Sequence, residues 1–423
     1  MNEFSANMID LLDASPSPYH AVAAMAARLD AAGFERLAES ARWTLSTVEQ
    51  PAYVVRGGTL IAWQGASHHN LANGVRLVGA HSDSPNLRIK PRPDTGGFGY
   101  QQLGVEIYGS PLINSWLDRD LGIAGRVALR SGETALVRID RPLMRIPQLA
   151  IHLDRNVNDG LTLDKQSHLI PVWGMGTSHA GDFDDFIAAE IGVPATDILA
   201  FDLMTFDLTQ ATTLGRSGEF ITSARIDNLN SCSCALDALL GTVPVNHMAM
   251  LAVFDHEEVG SESTTGAMGA MLNAVLQRIA MVVAPGDPQA LHRALANGFC
   301  VSADAAHAVH PNYPERHEAN HRPVLNGGPV VKVNANQRYA SDAETVAEFI
   351  RACDATGVPH QTFVSKNTMP CGSTIGPITS ARLGIPTVDV GNPMLSMHSA
   401  REMCGTNDAA MMVTALTHIL SAG

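Results

Sequence analysis

Two adjacent glutamates, Glu257 and Glu258, close a short apolar run inside LAVFDHEEVGSES (251–263). Carboxylates at the end of a buried strand are costly to leave unpaired, so they take up protons or find a cation. On an extended segment adjacent side chains point to opposite sides. One glutamate is then free to bind a metal while the other handles a proton. The plain alternative is a solvated turn with a helix starting at Ser261.

Four further groups sit in similar places. His81 follows the apolar run VRLVGA, Asp304 follows CVSA, His398 lies in the loop after PTVDV, and Asp227 stands in SARIDNLN just before a helical stretch. In open α/β sheets, ligands gather outside the carboxyl ends of strands, so His81, Asp227, Glu258, Asp304 and His398 fall on one rim. Two imidazoles and three carboxylates suit two divalent ions, with one carboxylate shared and a water or hydroxide between the metals. Asp83, two residues after His81, is placed to accept a hydrogen bond from the second imidazole nitrogen. Glu257 is left as general base. Each group has an ordinary role when taken alone: His81 and Asp83 as a solvated loop pair, Asp227 as a helix N-cap, Asp304 as a turn residue. The case rests on their joint placement. Zinc fits such donors, and carboxylate-rich sites also take manganese or cobalt.

The elements that must hold these groups alternate. Residues 7–32 read as an amphipathic helix interrupted at 15–18, with a stop at Gly33, and 52–64 as a hairpin around Gly57-Gly58. Helical periodicity appears at 229–241, 266–283, 344–357 and 407–420, with strands at 75–80, 248–254, 300–303 and 386–390. Alternating strands and helices imply an α/β layered sheet. Pro91 to Gly99 reads as a domain boundary, after which short β-like runs predominate to about Phe220, broken by a loop-like Gly- and Asp-rich segment at 173–185. The expected organisation is a discontinuous catalytic domain, 1–90 and 225–423, with an inserted β-rich domain at 91–224.

Composition narrows the class. The 423 residues are 45% hydrophobic and 17% charged, which is globular in character. A net charge of −14 disfavours nucleic acid as a partner. It also means that any acidic substrate needs a local basic pocket. No signal peptide and no apolar run of membrane-spanning length is visible, so no membrane partner is expected. The six cysteines have no zinc-ribbon spacing and read as reduced core thiols of a cytoplasmic protein.

With these residues in view, the sequence resembles the M18-type aspartyl aminopeptidases, dinuclear zinc exopeptidases. The matching stretches run almost end to end: SPSPYHAV (15–22), GAHSDSPNLRIKP (79–91), IPQLAIHLDRNVN (146–158), EFITSARIDNL (219–229), FDHEEVGS (254–261), SADAAHAVHPNY (302–313), MPCGSTIGP (369–377) and VDVGNPMLSMHSARE (388–402), among others. The resemblance implies a zinc-exopeptidase-like three-layer α/β catalytic domain, and for the inserted domain a role as lid and oligomer contact. It makes His81, Asp227, Glu258, Asp304 and His398 the ligands of two zinc ions, with Asp227 bridging. Glu257 becomes the catalytic base and Asp83 the residue orienting His81. His307, Lys332 and Tyr339 match substrate-contacting positions, and His152 matches a histidine offered to a neighbouring subunit's site. It further implies tetrahedral homododecamers that remove unblocked N-terminal Asp or Glu from peptides. One departure is Asp255-His256, where the family often has Asp-Asn; His256 is expected to be a bystander. Without the resemblance, Lys332 reads as a solvated strand lysine. The same two-metal layout serves carboxypeptidases and N-acyl amino acid deacylases, and a binding protein that has lost catalysis is a further alternative. Metallophosphoesterase activity has no phosphate-holding motif behind it.

Overall fold

In the computed structural model, which describes residues 2–421, the chain forms two compact units. Among the described residues the first comprises 2–83, 211–397 and 402–421; the second comprises 84–210 and 398–401.

The first unit is built on a nine-stranded mixed sheet. At its centre lie four neighbouring parallel strands, in the order Met248–Phe254, Val75–His81, Phe299–Ala303, Thr387–Gly391. Their residues are buried almost without interruption, as expected for parallel strands covered on both faces. Alternation divides them between two cores. Ala249, Leu251 and Val253 pack with the helices Glu3–Ala14, Pro18–Ala31, Ile226–Leu240, Ala343–Thr356 and Asp408–Ser421. Met248, Met250, Ala252 and Phe254 pack with Met271–Val283 and Ala290–Ala296 on the other side. The result is a three-layer α/β unit. A small five-stranded sheet in the same unit pairs Phe220–Ser223 with Glu402–Gly405, and that pairing fixes the approach to Asp227.

Local chemistry sets the element ends. The first helical stretch breaks at Ser15-Pro16, and Ser17 caps the next helix with Pro18 in its first turn. Asp342 forms a capping box at the start of Ala343–Thr356, and Gly357, at φ 69°, ends it. The apolar stretch 266–283 is helical only from Met271. A Cβ at Gly266 would lie 2.1 Å from the Ser261 carbonyl, so residues 261–269 are folded back as a tight turn instead.

The second unit is a six-stranded sheet of antiparallel pairs with its own core around Leu87, Leu103, Ile123, Phe183 and Leu203. Pro91 to Gly97 does not separate the two units: it continues the strand Asn86–Gly97. The register shifts between Ile89 and Asp94, and such an irregularity accommodates Pro91 and Pro93. Residues 173–185 are likewise not a plain loop. They hold the end of the strand Val172–Met175 and the start of the helix Asp182–Ile191, and Asp94 accepts the N–H groups of Gly181 and Phe183 there. No helix among the described residues is long and apolar enough to cross a membrane.

Candidate functional site

His81 ends the Val75–His81 strand opposite Phe254, the last residue of the neighbouring strand, and Asp304 follows directly on Phe299–Ala303. The parallel register therefore brings His81, Glu257, Glu258 and Asp304 to the same end of the sheet. Asp227 arrives from the small sheet. It lies at φ −79°, ψ 107°, outside helical geometry, although it falls within the helix Ile226–Leu240, and its peptide bond to Asn228 is cis. Asp227 and Asn228 form a kink in that span, whose first flanking residue is Arg225 at φ 62°. The Asp227 N–H donates to Glu402 Oε2 at 3.0 Å, and Asn228 donates to the Ala303 carbonyl at 2.9 Å.

The donor atoms of His81, Asp227 and Glu258 lie within 4.8 Å of one another. His81 Nε2 stands 3.5 Å from Asp227 Oδ1 and 3.7 Å from Asp304 Oδ1. The other imidazole nitrogen, Nδ1, is 3.0 Å from the Asp83 backbone carbonyl and 3.5 Å from its carboxylate. The nearer partner of that nitrogen is thus the Asp83 carbonyl. The carboxylate instead accepts the N–H groups of Glu257 and Glu258, at 3.0 and 3.1 Å.

That pair of bonds corrects the extended geometry expected for the two glutamates. Glu257–Val259 is one turn of 3-10 helix, entered through His256 at φ 65° and left through Gly260 at φ 98°. The buried Asp83 carboxylate supplies the acceptors that this turn's N–H groups need. His256 itself contacts Ser263 Oγ at 2.8 Å and Thr265 Oγ1 at 3.1 Å.

Electrostatics tests whether a cation fits. Burial alone lowers the proton affinity of His81, but the nearby carboxylates of Asp227, Asp304 and Asp83 outweigh it and hold the imidazole well above its ordinary range. Burial pushes Glu257 up to about 8; His81 opposes this, while Asp304, Asp83 and Asp227 add to it. Negative charge is therefore in excess at this end of the sheet. One imidazole nitrogen and several carboxylate oxygens are the donors zinc accepts, and a divalent cation relieves the crowding.

Beside this cluster, Lys332 is 2% exposed on the strand Val330–Val333, so it is not a solvated strand lysine. Its Nζ is 3.3 Å from Asp304 Oδ2, donates to the Ala305 carbonyl, and lies 5.1 Å from the Tyr339 ring centroid. Tyr339 and His307 both pack on Phe363, with ring centroids 6.5 and 5.8 Å apart. Burial and Cys371 push the Tyr339 phenol above its ordinary range. Two predicted residues belong to the second unit. His398 there has Nδ1 3.0 Å from the Ser110 carbonyl, and His152 is exposed.

Three supporting residues were not singled out in the sequence. Glu402 accepts the Asp227 N–H, Cys232 Sγ donates to the His81 carbonyl at 3.0 Å, and Asp389 is completely buried between Val388 and Val390. The signal for Asp389 was present, since a lone carboxylate inside VDV has no place in a core without partners.

A family profile described as aminopeptidase I zinc metalloprotease (M18) matches residues 11–419. A probable M18 family aminopeptidase 2 of Streptomyces coelicolor is 51% identical over 423 residues, covering 98% of this chain and 96% of the relative. Among solved structures, a chain of the cryo-EM structure of an Ape4 and Nbr1 complex aligns with TM-score 0.93 and 37% identity, covering 99% of this chain and 85% of that one. The S. cerevisiae mApe1 dodecamer aligns with TM-score 0.86 and 28% identity, covering 98% and 95%. Fold and donor set together define a zinc metalloprotease. The chain belongs to the M18 family of aminopeptidases.

Proposed function

We propose that this aminopeptidase removes unblocked N-terminal Asp or Glu from peptides, with two zinc ions held by His81, Asp227, Glu258, Asp304 and His398, and Asp227 shared between them. The observation that carries the reading is a buried lysine, Lys332, beside the carboxylate cluster of a chain whose net charge is −14. Long-range attraction for an acidic substrate is absent, so selection falls to a local cation.

Zinc bound by these residues supplies Lewis acidity towards the scissile carbonyl and lowers the pKa of water. Manganese or cobalt are substitutes with the same donor preferences. Glu257 takes the proton of the attacking water and returns it to the leaving amine. Asp83 holds the backbone of both glutamates and so fixes Glu257 relative to His81. Lys332, with Tyr339 and His307 around it, faces the acidic side chain of the first residue. His152 serves a neighbouring subunit. The S. cerevisiae relative is a dodecamer, and we extend self-association to this chain, as a tetrahedral homododecamer. Leu149, Ile151 and Leu153, on either side of His152, are 57%, 48% and 75% exposed, a surface suited to a second copy.

The test is hydrolysis of matched aminoacyl substrates with Asp, Glu, Leu, Ala or Lys at the free N-terminus, alongside blocked ones. Each is measured with chelator and with zinc, manganese or cobalt restored. Metal-dependent preference for Asp and Glu, lost selectively in Lys332→Ala, is the expected outcome. Preference for neutral residues removes the specificity reading, and an equal loss on every substrate removes the role of Lys332.

A further inference from the structure

Asp389 is 0% exposed at the centre of the strand Thr387–Gly391. Its flanking residues Val388 and Val390 join the core on one face, so the carboxylate points to the other. There it meets two loops. Oδ2 accepts the Ala340 N–H at 2.6 Å, next to Tyr339, and the Asp389 N–H donates to Ser341 Oγ at 2.9 Å. Oδ1 accepts the Thr374 hydroxyl at 2.6 Å, and Thr374 is the N-cap of the helix Ile375–Leu383. That second loop also carries Cys371, which acts on the Tyr339 hydroxyl. One step further along the antiparallel register Val330↔Gly391, Val331↔Val390 sets Lys332 beside Asp389. Burial raises the proton affinity of Asp389, and the charge of Lys332 is the largest influence working against that rise.

Gly376 adds an independent observation. A Cβ built there would stand 2.2 Å from Asp389 Oδ2 and 2.5 Å from Oδ1. The carboxylate therefore occupies the volume that any other residue at 376 would need. Glycine at this position is explained by the close approach of Asp389, not by a positive φ.

We infer that Asp389 is a positioning residue for the pocket that selects an acidic first residue. It ties the Tyr339–Ser341 turn to the start of the Ile375–Leu383 helix and stands as a second counter-charge to Lys332. This rests on the acidic-residue preference proposed above. A buried acceptor of several donors, in the field of a buried lysine, holds both loops more firmly than a neutral group does. Losing it releases Tyr339 and Lys332 while leaving the groups that attack the peptide bond in place.

The experiment measures kcat and KM for Asp, Glu, Ala and Leu substrates with wild type, D389A, D389N and G376A, together with zinc content and thermal midpoint. For D389A, KM for Asp and Glu substrates is expected to rise on the order of tenfold, with kcat and both constants for neutral substrates within about threefold. D389N, which keeps the volume and one acceptor, falls between. G376A shifts KM in the same direction by displacing the carboxylate, and in the D389A background it adds nothing. Equal losses on acidic and neutral substrates overturn the inference and leave Asp389 a general strut. A selective wild type with an equally selective D389A overturns it too, leaving the specificity reading intact. A wild type without acidic preference removes that reading and this inference with it. If D389A does not fold, D389N and G376A decide.

Discussion

The two units treat charge in opposite ways. The first buries it: His81, Asp83, Lys332 and Asp389 are all within 2% of complete burial. The second keeps most of its ion pairs near water, as in Arg126 with Asp202, Arg138 with Asp140 and Arg141 with Glu190, and buries only the carboxylate of Asp207, which Arg119 meets. Burying a charge costs several kcal/mol unless partners are arranged around it, whereas an exposed pair contributes about 0 to 1 kcal/mol. Stability alone gives no reason to bury so many ionisable groups at one end of one sheet. The first unit accepts that cost at the end of the sheet where the proposed site lies. The second shows the converse signal, exposed leucines and isoleucine around His152.

The largest effect that tests this contrast is on Glu257. Glu257→Gln keeps shape and removes only the proton-accepting carboxylate. Zinc content is expected to match the wild type while kcat falls about 10²- to 10⁴-fold. Metal analysis on the purified variant, followed by kinetics, checks both halves. Undiminished turnover would show that the half-buried Glu257 carboxylate stands here without acting as the base, and the contrast between the units would lose its functional meaning.

How far the sequence reveals this arrangement depends on the kind of residue. The parallel strands were legible because most are apolar runs ended abruptly by a polar group, and the helix at 344–357 because Gly357 marks its end. The joint placement of His81, Glu258 and Asp304 followed from those strands alone. The turn at Glu257 was not legible, because it depends on Asp83, far away in sequence, supplying acceptors to its N–H groups. Pro91 and Pro93 misled because a register shift lets a strand absorb them. Asp227 read as an ordinary helix start because the groups that its segment bonds, Glu402 to Asp227 and the Ala303 carbonyl to Asn228, come from later parts of the chain. Asp389 left a signal, a lone carboxylate inside VDV, but its partners at Ala340, Ser341 and Thr374 come from other loops and were not legible.

A smaller effect sharpens the cost of burial within the first unit. Asp408 accepts the N–H groups of Asn326 and Gly328, yet burial pushes its carboxyl up to about 7. An acid whose folded pKa lies above its unfolded value of about 3.9 favours the folded state at low pH. That contribution is fully present below about pH 4 and is lost as pH rises through about 7. Asp408→Asn cannot ionise, so the wild type is expected to lose stability relative to it across this window, by at most about 4 kcal/mol. Denaturant midpoints at pH 4.5 and 7.5 for both proteins give the comparison. Parallel curves would mean that the two backbone donors fully compensate burial of the charge.

The smallest effect belongs to the second unit. Arg126 and Asp202 are register partners on adjacent antiparallel strands, with Nε 2.8 Å from Oδ2, and their side chains are 35% and 45% exposed. Solvent screens this pair, and each long side chain loses rotamer freedom in making it. Arg126→Ala, Asp202→Ala and the double variant should give a coupling energy below about 1 kcal/mol, falling further in 1 M salt. A coupling of several kcal/mol, insensitive to salt, would mean that this strand pair is shielded from water in the assembled protein. The interface between copies would then extend from the leucines around His152 onto the sheet itself, and the second unit would also bury charge, but only on assembly.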